Sequence, residues 1–335
     1  MIFNRSAEPE KNFLVVIDMN SSPTQDFPIL GNKRKRFGIP WKNRPLAQSL
    51  ILVIAAVALS ACFSSKENAG LQENILKVGV LPDQSKASLI HQHKPLLDYL
   101  SQELDLRTEL IFTASYDDLL LRVERGELDL IFFGGLTYVA AHKMEGVVPV
   151  AMRDIDFKFS SYFLVRTENP ARVLLDLKGK KIGFGSSKST SGHLMPRFFM
   201  KKMGIEPESF FSEVLFSGSH DRSAYLVRDG AVDVSVANSN VIDRMFSSGQ
   251  LDPKSVRILW ETPPYADYIW AARAGLSKKL RSRLLDAFLQ LSRSNPAHRS
   301  ILARQGAGSF LPASNDDFIQ LIQIVDDLKL LEQRN

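Results

Sequence analysis

A chain of 335 residues is long enough for two ordinary domains, and a composition 44% hydrophobic and 24% charged is that of a globular protein. The net charge is +5, yet residues 1–61 hold eight Lys/Arg against four Asp/Glu, which leaves 34 basic and 33 acidic residues in the rest. A nucleic-acid binder needs a basic footprint on its folded part; this chain has no surplus from which to build one, and that class is excluded.

In chain order, Lys33, Arg34, Lys35, Arg36, Lys42 and Arg44 precede an apolar run, LILVIAAVAL at residues 50–59. The run is too short for a comfortable membrane span and ends in small residues, the pattern of an export signal. It leads into Leu59-Ser60-Ala61-Cys62, which resembles the lipobox of bacterial lipoproteins, where the cysteine is lipidated and becomes the first mature residue. Cys62 is the only cysteine, and lipidation would consume a thiol that is otherwise a liability outside the cell. The other reading is an uncleaved anchor with an incidental cysteine. Residues 1–30 carry four acids and no signal pattern, which leaves open a start codon further downstream. Residues 62–75 are polar and read as a flexible tether.

Strand and helix patterns then alternate. Residues 76–81 (LKVGVL) read as strand, 87–104 as helix, 106–112 as strand, 116–125 as helix, and 128–133 (LDLIFF) as a buried strand ending at Gly134-Gly135. A second unit opens at 175–181, with strand 182–184, helix 195–203, strand 214–216, helix 223–229 and strand 232–237. Residues 161–166 and 268–272 read as the crossings between the two. Helices from 277 and over 316–331 fall to the first unit. The expectation is an α/β chain of two lobes, residues 76–166 plus 268–335 as lobe one and 167–267 as lobe two, with a ligand crevice at the strands' carboxyl ends.

Three strand-to-helix junctions carry hydrogen-bond donors. GFGSSKSTSG, at residues 183–192, is a turn of small residues at a helix start; its free N–H groups and the hydroxyls of Ser189, Thr190 and Ser191 suit a compact oxyanion. A simple N-cap needs one such hydroxyl, not three. The nucleotide P-loop is excluded, because Lys188 is preceded by Ser187 and not by glycine. FSGSHDR places His220 and Asp221 at a second helix start, FFGGLTY offers Thr137 and Tyr138, and Tyr116 lies at a comparable junction.

STSGHLMP (189–196), FSGSHD (216–221), FFGGLTY (132–138), NSNVIDRM (238–245) and WETPPYADY (260–268) are similar to motifs of the phosphate/phosphite/phosphonate family of periplasmic binding proteins, in the same order over residues 76–310. The resemblance implies the type II periplasmic-binding fold, two α/β lobes joined by two crossing strands and closing on a ligand, with an ABC permease and its ATPase as partners. It implies that Ser189, Thr190 and Ser191 cradle the anion and that Tyr116, Tyr138 and His220 contact it. Asn238 stands where many phosphonate binders have an acid, which argues against an aminoalkylphosphonate. The GGLT and TPPYADY runs resemble a branch described as selenate binders, so phosphonate, phosphite, phosphate and selenate all remain as ligands. The expected protein is a monomeric, lipid-anchored solute binder on the periplasmic face of the membrane, with no cofactor, metal or catalytic residues. The rivals are an enzyme, for which neither G-x-S-x-G nor H-E-x-x-H is found, and a ligand-presenting sensor module. His91 and His93 form an H-x-H read as a helix start rather than a metal pair.

Overall fold

The structure, a computed structural model, describes residues 75–327; the signal-like segment, Cys62 and most of the tether lie outside the described residues. The strands are β1 (Ile75–Val80), β2 (Arg107–Ile111), β3 (Leu130–Phe133), β4 (Val148–Arg153), β5 (Ser161–Arg166), β6 (Lys181–Phe184), β7 (Glu213–Phe216), β8 (Val234–Asn238), β9 (Val256–Glu261), β10 (Ile269–Ala272) and β11 (Phe310–Pro312). The helices are α1 (Lys86–Leu104), α2 (Tyr116–Glu124), α3 (Gly135–Glu145), α4 (Met195–Lys202), α5 (Pro207–Phe210), α6 (His220–Arg228), α7 (Ser239–Ser247), α8 (Lys278–Gln290), α9 (Pro296–Gln305) and α10 (Ile319–Asp327).

Two sheets result. Lobe one has the order β11-β4-β10-β3-β1-β2, and lobe two the order β7-β6-β8-β5-β9. In each, the central strands run parallel, β1 with β2 and β3, β6 with β7 and β8, while the returning strand of each lobe is antiparallel to its neighbours. Helices on both faces leave the central strands no solvent side, so β3 (LIFF) is buried at every position and so is β8 (VSVAN). The helices start where their sequences allow. Ser85 Oγ accepts from Ser88 N at the head of α1, and Ser115 Oγ accepts from Asp118 N at the head of α2. Among the described residues no helix is long and apolar enough to cross a membrane.

The lobe boundary differs from the sequence expectation. Residues 161–166, read as the end of lobe one, form β5, which pairs only with β8 and β9 of lobe two. The chain therefore crosses before Ser161, where Phe159 and Tyr265 bridge the outgoing and returning segments. The glycine pair after β3 also does something other than turn. Gly134 is the N-cap of α3, and a Cβ on Gly135 would sit 2.5 Å from Leu321 Cδ2. These glycines admit close packing rather than a loop.

Candidate functional site

The cleft between the lobes is built from the carboxyl ends of β1, β3, β6, β7 and β8 and from the segment returning into β10. After β6 the chain makes a single π turn at Thr190–Leu194, in which Leu194 N donates to Ser189 O at 3.0 Å. The wider turn frees donors at a helix start, a device often found at binding sites. Ser189 Oγ caps it, accepting from Gly192 N at 2.9 Å. Only glycine fits at 192: a Cβ there would meet Ser189 Oγ at 2.9 Å, His220 Cε1 at 3.0 Å and Gly185 Cα at 3.1 Å.

Lobe one meets this turn directly. Leu136 N donates to Thr190 Oγ1 at 2.9 Å, and Gly135 N donates to Asp267 Oδ1 at 2.8 Å. Asp267 is 1% exposed, and burial raises its pKa to about 7 against the opposing pull of the Gly135 N–H and the Thr190 and Ser191 hydroxyls. Its second oxygen, Oδ2, is buried with no partner, as is Ser191 Oγ. Both lie beside the same turn, with the Ser191 hydroxyl near enough to the carboxyl to pull on its pKa. The buried Tyr116 completes this side, its hydroxyl beside Ser189; burial first, then the charge of Asp83, raises its pKa well above the ordinary value, so it stays a neutral phenol.

A second chain of hydrogen bonds runs across the cleft. Asn238 Nδ2 donates to Tyr268 Oη at 3.0 Å, and Tyr268 Oη donates to Asp83 Oδ2 at 2.7 Å. Asn238 N donates to His220 Nδ1 at 3.2 Å; a backbone amide can only donate, so the imidazole is neutral with its proton on Nε2, 3.4 Å from Tyr268 Oη. Burial lowers the His220 pKa in agreement. His220 N in turn donates to Asp83 O at 2.9 Å, tying α6 to lobe one. Arg153, bonded to Asp156 Oδ1 at 2.6 Å and Oδ2 at 2.8 Å, lies 5.4 Å from the Tyr268 ring centre and packs behind the site.

Of the residues expected from sequence, Tyr116, Ser189, Thr190, Ser191, His220 and Asn238 converge here. Three do not share that role. The Tyr138 hydroxyl bonds to Asn315 and its ring packs on Phe318, in the core behind α3, because the helical path from Gly135 carries it to the side opposite the turn. Thr137 Oγ1 is spent on Gly134 O at 2.9 Å. Asp221 links the lobes, accepting from Ser85 N at 2.9 Å and Ser219 Oγ at 2.5 Å. Asn238 serves within the network rather than as a free group, since its Oδ1 caps α7 through Val241 N. Sequence reasoning missed Asp83, Asp267 and Tyr268 as site groups. The signal for the last two was an acid between two tyrosines just before the strand that re-enters lobe one.

Comparison with known proteins agrees with this geometry. The family described as "ABC transporter, phosphonate, periplasmic substrate-binding protein" matches residues 78–318. A probable ABC transporter phosphite binding protein of Prochlorococcus marinus (strain MIT 9301) is 31% identical over 262 residues, 75% of this chain and 88% of that protein. The phosphonates-binding periplasmic protein of Escherichia coli (strain K12) is 24% identical, over 81% and 83% of the two chains. A Prochlorococcus marinus structure in complex with methylphosphonate superposes with a TM-score of 0.73 at 30% identity, covering 77% of this chain and 99% of its own. With the two-lobed fold and the motif order, these matches place the chain in the family of periplasmic substrate-binding proteins of phosphonate ABC transporters.

Proposed function

We propose that this chain captures a tetrahedral phosphorus oxyanion, a phosphonate, phosphite or phosphate, between its lobes and delivers it to an ABC permease and its ATPase. The carrying observation is a π turn of neutral donors, with the buried Ser191 hydroxyl and the buried carboxyl of Asp267 beside it. Neutral donors hold an anion without forming a permanent ion pair, so the ligand can be released. Asp267 favours a ligand that brings its own proton: a P–OH donates to the carboxylate, whereas the bare oxygens of sulfate or selenate face its lone pairs. The relatives support the reading: the one in Prochlorococcus marinus is a probable phosphite binding protein, and a further one in Mycolicibacterium smegmatis, 27% identical over 264 residues, is a phosphate-import protein. Selenate remains the second reading, carried by the GGLT and TPPYADY runs.

Calorimetry of residues 71–335 against methylphosphonate, phosphite, phosphate, sulfate and selenate tests this. Micromolar or tighter binding of a phosphorus oxyanion is expected; binding of none below the high-micromolar range would overturn it. Thr190→Ala is expected to cost roughly tenfold in affinity, because Thr190 Oγ1 joins Leu136 N to the turn. Lys188→Ala should cost less than fivefold, since Lys188 forms an exposed pair with Asp117 at 2.7 Å. The reverse order would mean that side-chain charge, not the turn, holds the anion. The protein is further read as a monomer tethered at Cys62 to the periplasmic face of the membrane. Cys62→Ala should leave an unlipidated precursor, and normal processing of that variant would remove the tether from the account.

A further inference from the structure

Beside the anion cradle the cleft opens into a chamber of about 380 Å3, within the size range of small-molecule sites. Lobe one lines it with Lys86, Phe112, Thr113 and Tyr116, and lobe two with Ser186 and Arg222 among others. Tyr116 is the shared wall: it lines the chamber and stands beside Ser189 in the cradle.

The charged groups lining the chamber are two cations and two carboxylates, and the carboxylates are the more engaged. Asp117 is held by Lys188 at 2.7 Å. Asp221 is surrounded by donors, Ser85 N, Ser219 Oγ and Arg222 N. The cations are less engaged. Lys86 Nζ lies 4.4 Å from the centre of the Phe112 ring, and neither it nor the Arg222 guanidinium has a carboxylate partner among the described residues. Thr113 Oγ1 is buried without a hydrogen-bond partner. Two cations without a carboxylate partner among the described residues and an unpartnered hydroxyl thus border a space that shares Tyr116 with the cradle.

We infer that this chamber is a second subsite that takes a negatively charged substituent, so that the preferred substrate class is a phosphonate bearing a carboxylate on a short alkyl chain. The inference rests on the oxyanion reading of the cradle. Both cations are exposed, so each pairing contributes only a factor of a few, and together roughly tenfold.

The test is calorimetry of the full-length chain, solubilised in detergent, with methylphosphonate, propylphosphonate, 3-phosphonopropionate and 2-aminoethylphosphonate. 3-Phosphonopropionate is expected to bind roughly tenfold more tightly than propylphosphonate, with 2-aminoethylphosphonate weakest. In a Lys86→Gln/Arg222→Gln variant the carboxylate's advantage should shrink below twofold while methylphosphonate affinity stays within twofold of the native value. Methylphosphonate binding with no gain from the carboxylate, or an advantage that survives in the double variant, overturns the inference alone. Failure of all four ligands overturns the cradle reading and this inference with it.

Discussion

At the scale of single residues, the position of one proton decides the ligand. Asp267 Oδ1 is committed to Gly135 N, and Oδ2 is buried without a partner, so any ligand oxygen that approaches Oδ2 must share a hydrogen with it. With a pKa of about 7, the carboxyl is largely ionised above neutrality and largely protonated below. A selenate or sulfate ion carries no proton there, so its binding must draw one onto Asp267. Affinity for those ions should therefore fall by about tenfold per pH unit above 7. Asp267→Asn keeps the acceptor for Gly135 N and places an amide donor where Oδ2 was. That variant should flatten the pH dependence and raise selenate affinity tenfold or more at pH 8, while methylphosphonate weakens. Calorimetry at pH 6, 7 and 8 reads both effects, and a native chain that prefers selenate to methylphosphonate at pH 8 would refute the proton-sharing account. Residue types at strand ends made the hydroxyl triplet and His220 legible in the sequence. Asp267 was hidden because its importance comes from burial, and burial is set by the return of β10 beside β3, a contact between residues more than 130 positions apart.

At the scale of elements, the π turn and the strands around it explain which parts of the fold could be read. β3 and the helices with period 3.6, α1 and α8, announce themselves through continuous or periodic apolar residues. β9 does not, because it is an edge strand with a mixed burial pattern, and α3 does not, because it begins on two glycines. The lobe to which β5 belongs was equally illegible, since an apolar run of six residues pairs as well in one sheet as in the other. The π turn is a tertiary product: the Gly185–Gly192 approach, with Gly185 N donating to Gly192 O at 2.8 Å, fixes where the widened turn falls. Gly192→Ala tests that geometry. Its Cβ would press on Ser189 Oγ and on the backbone at Gly185, and overpacking of this kind costs about 1–3 kcal/mol. The expected outcome is a lower melting temperature together with at least a tenfold loss of methylphosphonate affinity. A variant that melts normally and binds normally would show that the turn is not held by that contact.

At the scale of the whole molecule, the same buried groups set how stability depends on pH, and their contributions have opposite signs. Burial lowers His93 to about 3 and His193 to about 4, and it lowers His220 as well. The unfolded chain protonates these imidazoles below about 6.5 while the folded chain does not, so each removes stability as pH falls from 6.5 toward 4. Asp267 acts the other way. Folded, it keeps a proton up to about pH 7 that the unfolded carboxyl releases near 4, so its contribution is lost as pH rises through that window. Between pH 4 and 6.5 the lowered imidazoles, His93 and His193 above all, outweigh one carboxyl, at up to about 1.4 kcal/mol per pH unit for each group, and stability rises with pH. Above 6.5 the unfolded imidazoles are still losing protons, so their slope and the opposing slope of Asp267 fade together toward pH 8. The ligand-free native chain is therefore expected to gain stability from pH 4.5 to about 6.5 and to level off above pH 7. In Asp267→Asn the opposing slope is gone, so stability should climb more steeply between pH 4.5 and 7 than in the native chain. Thermal melts from pH 4.5 to 8.5 on both proteins measure this directly, and parallel curves between pH 5 and 7 would mean that Asp267 is ionised in the free protein. That result would also remove the shared proton from the binding account, because a carboxyl already ionised at pH 6.5 cannot make the affinity for selenate turn over near 7.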